Sequence, residues 1–167
     1  MLETLVWVLP RPRHYNMYKG GFPLHFETKL INLYEEKYGI INVLQPFGGK
    51  AEYGIINDIK IEVAPDIVSD AHNLPFPCNY FDFVLFDPPY SKEEAKKLYN
   101  TDYIKLTKCI QESVRVLKSG GFIALYHRLW LPRPKNTKYD LRILVHPGQW
   151  HEARTCHVFK KTTEVLL

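Results

Sequence analysis

The sequence predicts an α/β protein built on one mostly parallel sheet. Short runs of β-branched and aromatic residues alternate with segments of helical spacing, which is the pattern of strand-helix-strand units. The last two candidate strands follow each other without a helix, which adds an antiparallel hairpin at the carboxyl end. With 167 residues, 46% of them hydrophobic and 24% charged, the chain has the size and composition of one globular domain. We therefore expect a single domain over residues 1–167.

The first half of the chain predicts one helix followed by four strands. From Leu24 to Tyr38, apolar residues recur at helical spacing with charged residues between them. Four β-rich runs follow, each closed by polar or turn-forming residues. They are Ile40 to Leu44, Gly54 to Asp58, Ile67 to Asp70, and Phe81 to Asp87. The stretch from Gln45 to Tyr53 is too short for a helical crossover, so the first connection is expected to be irregular.

The second half predicts a strand-helix-strand unit and then the hairpin. Helical spacing runs from Asp102 to Leu117, and Ser119-Gly120-Gly121 separates this helix from a strand over Phe122 to Tyr126. The hairpin strands are Leu141 to His146 and Thr155 to Phe159. In a doubly wound sheet, ligands bind at the carboxyl ends of the strands, so the residues that close each strand are the candidate functional residues.

Neither export, membrane insertion nor a metal site is predicted. The N-terminal apolar run from Leu5 to Leu9 is too short for a signal peptide, and the sequence has no stretch of eighteen apolar residues. Cys78, Cys109 and Cys156 are odd in number and far apart, which favours reduced thiols and a cytoplasmic protein. Because no Cys-x-x-Cys pair is present, we expect no metal.

Four motifs close the predicted strands. In chain order they are Gln45-Pro46-Phe47-Gly48-Gly49, then Asp58, then Asp70-Ala71-His72, and then Asp87-Pro88-Pro89-Tyr90. Together they resemble the motifs of class I S-adenosylmethionine-dependent methyltransferases that methylate an exocyclic amino group of a nucleobase. The resemblance covers about the central third of the chain. It implies the Rossmann-like fold of that family and S-adenosyl-L-methionine as the cofactor.

The resemblance implies two segments that contact the methionine part of the cofactor. One is the glycine loop, Gln45, Pro46, Phe47, Gly48 and Gly49, where the backbone would approach the ligand. Here Gln45 replaces the acid, and Ala51 the second glycine, that the family usually has. The other segment precedes the first helix and comprises Lys19, Gly20, Gly21 and Phe22, with a lysine suited to a carboxylate. Each segment is also typical of an ordinary loop.

Three aspartates carry the other implied contacts. Asp58 would accept the ribose hydroxyls, and Asp70, with Ala71 and His72, would lie at the adenine; Asp87 would also border the cofactor. Taken singly, an aspartate at such a position is equally typical of a cap or a turn. Their joint placement favours the binding roles.

Asp87-Pro88-Pro89-Tyr90 is the predicted catalytic motif. A nucleobase amino nitrogen is a poor nucleophile because its lone pair is delocalised into the ring. Hydrogen bonds accepted by Asp87 and by the Pro88 carbonyl would localise that pair, and Pro89 would stiffen the loop. Tyr90 would offer a face on which an extruded base stacks. The alternative is a Pro-Pro turn after a buried strand.

The net charge of +4 is concentrated between Arg128 and Arg142, which holds five basic residues and one acid. Because Trp130 and Tyr139 lie among these cations, the segment predicts a nucleic-acid-binding loop beyond the fifth strand of the core. Its proposed contacts are Arg128, Arg133, Lys135 and Lys138. The alternative is a solvated surface loop.

Three functions remain open at this point. The first is methylation of DNA, at adenine N6 or cytosine N4; we expect adenine N6. The second is an RNA methyltransferase of the tRNA guanosine-N2 type. The third is a non-catalytic, cofactor-binding subunit of a methyltransferase complex. Since no separate target-recognition domain fits in the chain, specificity would be relaxed, come from the basic loop, or come from a partner, either a second copy or a specificity subunit.

Overall fold

A computed structural model describes residues 2–10, 21–99, 104–146, 148 and 152–163 of the chain. Within these residues it contains one eight-stranded sheet and three α-helices. The strands are β1 Glu3–Val8, β2 Val43–Gln45, β3 Ile55–Asp58, β4 Ile67–Val68, β5 Phe81–Phe86, β6 Leu117–His127, β7 Thr137–His146 and β8 Arg154–Lys161. The helices are α1 Phe26–Tyr38, α2 Lys92–Tyr99 and α3 Leu106–Val116.

The sheet has the order β1-β7-β8-β6-β5-β2-β3-β4. Every neighbouring pair is parallel except those of β8, which is antiparallel to both β6 and β7. This confirms the predicted fold class, a mostly parallel sheet with an antiparallel C-terminal hairpin. The chain builds outward from β2 to β4 and then returns to β5 on the other side of β2. The winding therefore reverses between β2 and β5, and ligands of open α/β sheets bind at such a position.

Apolar packing holds helices on both faces of the sheet. On one face, the Tyr34 ring of α1 lies 5.0 Å from that of Phe83 and 4.9 Å from that of Phe122. On the other face, buried Cys109 and Ile110 of α3 belong to the cluster that surrounds the inner strands. Each face thus buries its own apolar layer, which fixes the strand ends relative to the helices. None of the helices in the described ranges is long and apolar enough to span a membrane.

Several elements differ from the sequence-based expectation. The sequence predicts no helix where α2 forms, over Lys92–Tyr99. It also predicts no element for the N-terminal apolar run, which forms β1, an edge strand parallel to β7 with Trp7 turned into the core. The strand predicted from Phe122 begins earlier, at Leu117, directly after α3. The strand can pass close to β5 at Gly121 because glycine has no side chain. A Cβ there would stand only 2.8 Å from the Asp82 carbonyl oxygen of that strand. The glycines thus lie inside an irregular strand instead of between two elements.

The connection from β2 to β3 contains no helix, as predicted, and depends on Gly54. Gly54 has φ +73°, and a Cβ there would lie 2.4 Å from the Val43 carbonyl oxygen. We expect Gly54→Ala to lower the free energy of unfolding by about 3 kcal/mol, measured by urea denaturation, because backbone strain and overlap act together. Gly39→Ala is the control, since its φ is +62° but nothing lies within 4 Å; it should cost about 1 kcal/mol. Equal losses in the two variants would contradict the close-approach argument.

Candidate functional site

The predicted motifs lie along the carboxyl edge of the sheet, around the reversal between β2 and β5. Gln45 ends β2, Asp58 ends β3, and Asp87 follows directly after β5. Parallel pairing of β2 with both β3 and β5 brings these ends together. The structure therefore places the glycine loop and the Asp87 motif at one site.

Asp87 is bound by the tyrosine of its own motif. The Tyr90 hydroxyl donates to Asp87 Oδ1 over 2.9 Å. Burial raises the pKa of the Asp87 carboxyl to about 7, although the Tyr90 hydrogen bond and the Arg154 charge act in the opposite direction. Pro88 is buried beside it. Asp87 is thus a desolvated carboxyl held in one orientation, a state typical of functional sites.

The ring of Tyr90 is surrounded by cations and by an imidazole. The guanidinium carbons of Arg128 and Arg154 lie 5.5 and 5.4 Å from the ring centre, and the His127 ring stands edge-on at 4.7 Å. The Tyr90 backbone N–H donates to Glu94 Oε2 over 2.8 Å. These contacts orient the ring, and stacking of a substrate base on it stays a prediction. Sequence reasoning missed Arg154, which only the antiparallel pairing of β8 with β6 brings to this edge.

His127, at the end of β6, is a neutral imidazole. The Leu129 backbone N–H donates to its Nδ1 over 2.9 Å, which leaves the proton on Nε2. Burial lowers the pKa of His127, so the ring carries no charge at neutral pH.

Gln45 faces an acid that the motifs do not include. Its Nε2 donates to Glu27 Oε1 over 2.7 Å and to the Tyr53 carbonyl oxygen over 3.0 Å. Burial raises the pKa of Glu27, against the hydrogen bonds from Gln45 and the Glu52 backbone. Glu27 belongs to the first turn of α1, where an acid ordinarily complements the helix dipole. The sequence carries no signal that distinguishes Glu27 from such an acid.

Asp58 holds the glycine loop to the sheet. Its Oδ2 accepts from the Gly49 N–H over 3.0 Å, and its Oδ1 accepts from the Lys60 N–H over 2.9 Å. Close packing explains why residue 48 is a glycine, since a Cβ there would stand 2.4 Å from Ile56 Cγ2. The Asn57 Nδ2 amide donates to the carbonyl oxygen of buried Pro46 over 3.1 Å. The loop is therefore fixed in place by β3, with Phe47 packed edge-on against the Phe86 ring.

Asp70 and His72 connect by hydrogen bonds to the residue that precedes α3. Asp70 Oδ1 accepts from the His72 backbone N–H over 2.9 Å and from His72 Nδ1 over 2.6 Å. His72 Nε2 then accepts from the Lys105 N–H over 3.0 Å, which fixes the imidazole tautomer. Burial opposes ionisation, but the hydrogen bonds from His72 lower the pKa of Asp70. Ala71 is buried between the two.

Only half of the predicted segment before α1 can be placed. Lys19 and Gly20 lie outside the described residues. Gly21 is exposed with φ +106° and has open space around a Cβ position. The Phe22 ring stacks on the Phe26 ring with 5.1 Å between centroids and meets the Tyr126 ring edge-on at 5.2 Å, so its described contacts are those of the core.

The predicted basic loop is partly a strand, which corrects the expectation that Lys138 lies in a loop. Lys138 lies on β7, which begins at Thr137 and pairs with β8. Arg142 lies on the same strand, in the part that the sequence already predicts as the first hairpin strand. Arg133 donates to the Thr137 carbonyl oxygen, and Lys135 is exposed. The remaining cation, Arg128, lies in the preceding loop.

The charge of this segment is partly offset by acids from elsewhere in the chain. Arg128 forms ion pairs with Glu94 at 3.3 Å and with Glu152 at 3.9 Å. Glu152 also pairs with Arg154 at 3.3 Å. Arg142 lies 4.1 Å over the exposed Trp130 ring. The net charge around this segment is therefore smaller than the sequence alone indicates.

Comparison with known proteins identifies the fold. No protein-family model and no curated protein sequence matches the chain. Among solved structures, it is similar to the N-methyltransferase NodS from Bradyrhizobium japonicum, with a TM-score of 0.57 and 12% identity over 81% of this chain and 94% of that one. It is similar to a SAM-dependent methyltransferase from Aquifex aeolicus, with a TM-score of 0.51 and 14% identity over 81% and 89% of the chains.

A third similar structure was determined with a ligand. The 1,6-didemethyltoxoflavin-N1-methyltransferase from Burkholderia thailandensis, with bound 1,6-didemethyltoxoflavin and S-adenosylhomocysteine, has a TM-score of 0.55 and 8% identity over 79% of this chain and 76% of that one. At these identities the comparison concerns the fold. The chain has the Rossmann-like fold of S-adenosylmethionine-dependent methyltransferases.

Proposed function

We propose that the protein transfers a methyl group from S-adenosyl-L-methionine to an exocyclic amino group of a nucleobase, with adenine N6 in DNA as the preferred acceptor. The observation that carries this proposal is the Asp87 carboxyl. It follows β5 directly, beside the reversal of the sheet, and its pKa is raised by burial to about 7. A buried acceptor of this kind can activate a weakly nucleophilic amino group, whereas an ordinary surface carboxylate is solvated and keeps its usual pKa.

The residues present fit a cationic cofactor. Glu27 and Asp87 are two carboxyls close enough for the charge of one to raise the pKa of the other, and burial disfavours the charge of both. When bound, S-adenosylmethionine supplies an activated methyl group on a positively charged sulfur. The glycine loop from Gln45 to Gly49 would hold its amino acid end. Asp58 and Asp70 already accept hydrogen bonds from backbone N–H groups. They would bind the cofactor through the remaining lone pairs of their carboxylate oxygens.

The Asp87 motif can orient and activate an amine without a separate strong base. Tyr90 engages Oδ1, so Oδ2 of the same carboxylate can accept one amino hydrogen, and the Pro88 carbonyl can accept the other. Both acceptors lie on a loop stiffened by Pro88 and Pro89, so little reorganisation is needed during reaction. Asp87, with a pKa near neutrality, can also take the proton that the amine loses.

A small-molecule amine is the second candidate substrate. The observation that favours it is the pairing of Arg128 with Glu94 and Glu152, which reduces the cationic character of the surface beside Tyr90. Two of the similar structures are an N-methyltransferase and an N1-methyltransferase of a small heterocycle. Exposed Trp130 and Lys135 still offer a stacking and a phosphate contact, which supports nucleic acid as the first substrate.

Methyl transfer from labelled S-adenosylmethionine tests this proposal. The protein is incubated with double-stranded DNA, single-stranded DNA, RNA or free nucleosides, and each product is digested and separated into nucleosides. We expect label in N6-methyldeoxyadenosine from DNA. Label in an RNA nucleoside or only in free nucleosides would reassign the substrate. Cofactor binding without label in any nucleoside would favour the non-catalytic alternative and contradict the proposal.

A further inference from the structure

Glu27 lies at the reversal of the sheet although it belongs to none of the strand-end motifs. Its carboxylate extends from the first turn of α1 to the carboxyl end of β2, where Gln45 Nε2 donates to Oε1 over 2.7 Å. It is also close enough to Asp87, after the neighbouring strand β5, for its charge to raise the pKa of that carboxyl. Glu27 therefore borders the space between β2 and β5 where this fold class binds ligands.

Gln45 has no free amide hydrogen with which to bind a ligand there. The side chain is 1% exposed, and its two amide hydrogens are accounted for by Glu27 Oε1 and by the Tyr53 carbonyl oxygen, 3.0 Å away. The second of these bonds fixes the direction in which the amide points. Gln45 thus orients the Glu27 carboxylate, which is itself only partly buried and can contact a ligand.

The electrostatic surroundings of Glu27 favour a cation. Burial, two hydrogen-bond donors and the neighbouring charge of Glu52 shift the pKa of Glu27. Among the described residues, no cation contributes to this shift. Asp87 adds a second carboxyl near enough for the two charges to interact, although the charge of Arg154 partly offsets that of Asp87. A primary ammonium group there would relieve the repulsion between the acids and would form a charge-assisted hydrogen bond with Glu27.

We propose that Glu27 binds the α-ammonium group of the methionine part of S-adenosylmethionine, and that Gln45 positions its carboxylate. This inference rests on the proposed function, since it takes that cofactor as the ligand. It assigns to a helix residue the negative charge that the end of β2 lacks, because Gln45 there is neutral.

Binding calorimetry with two ligands tests the inference. One ligand is S-adenosylhomocysteine, and the other is its analogue with hydrogen in place of the α-amino group. The wild-type protein should bind S-adenosylhomocysteine about 10- to 100-fold more tightly than the analogue. Glu27→Gln should weaken the binding of S-adenosylhomocysteine by about the same factor and leave the affinity for the analogue within about twofold of the wild-type value. Glu36→Gln, an exposed acid on the same helix, is the matched control and should change neither affinity.

The outcomes separate the two proposals. If the wild-type protein binds neither ligand, the proposed function itself is wrong. If it binds both ligands equally, or if Glu27→Gln binds S-adenosylhomocysteine as tightly as the wild type, the role of Glu27 is overturned and the proposed function stands. Equal weakening of both ligands in Glu27→Gln would make Glu27 a structural support of the loop, which also overturns the inference. The wild-type comparison needs no substitution, so equal binding of the two ligands would overturn the inference even if the variant fails to fold.

Discussion

Asp87→Ala is expected to lower kcat for methyl transfer about 10²- to 10³-fold, while the affinity for S-adenosylhomocysteine stays within about tenfold of the wild type. The reason is that Asp87 provides a fixed acceptor for the amino hydrogen, and this bond strengthens as the nitrogen becomes more positive in the transition state. The loss corresponds to about 3 to 4 kcal/mol of transition-state stabilisation. Single-turnover transfer to the nucleic acid labelled best by the wild type measures it.

Asp82→Asn is the matched control for this experiment. Asp82 lies on the same strand at its opposite end, where its carboxylate accepts from Lys118 Nζ over 2.7 Å and from the Asn42 N–H over 2.9 Å. Its substitution should lower stability slightly and leave kcat unchanged. If Asp87→Ala methylates as fast as the wild type, the catalytic assignment of the whole motif is wrong. If Asp82→Asn loses as much activity as Asp87→Ala, the effect is one of stability and not of chemistry.

The order of the elements could be predicted from the sequence because most strands and helices carry a local signal. The runs that form β2, β3 and β5 show their β character without reference to any partner. β1 could not be placed in the same way, because its strand character depends on pairing with β7 from the other end of the chain. The reach of β7 back to Thr137 depends likewise on β8.

The site was predictable only in part, for a related reason. Asp87 and Tyr90 are adjacent in sequence, and their hydrogen bond is a local one. Glu27 and Arg154, by contrast, reach the site from α1 and β8, and only the packing of those elements places them there. Likewise, the sequence locates the excess positive charge but not the acids Glu94 and Glu152 that pair with Arg128. Long-range partners of this kind carry no periodic signal.

The pH dependence of methyl transfer is expected to follow the ionisation of Asp87. Burial raises the pKa of this carboxyl to about 7, and only the charged form is a strong acceptor for the amino hydrogen. kcat/KM should therefore fall about tenfold per pH unit below pH 7 and level off above it. In Asp87→Asn the remaining activity should show no such step. A wild-type profile that is flat from pH 5 to pH 8 would contradict this assignment.

The pH dependence of protein stability offers a second measurement of the Asp87 ionisation. Here the free energy of unfolding falls as the pH rises, which is the opposite of the usual effect of a carboxylate in a folded protein. Because the folded state raises the pKa of Asp87 from 3.8, folding favours the protonated form. The contribution of Asp87 to stability is thus complete below about pH 4, is lost as the pH rises from 4 to 7, and stays lost above that. Asp87→Asn should therefore be more stable than the wild type at pH 8, by about 1 to 3 kcal/mol in urea denaturation, and lose this advantage at pH 4. An advantage equal at both pH values would mean that the variant acts through packing, and the carboxyl would then not titrate near neutrality.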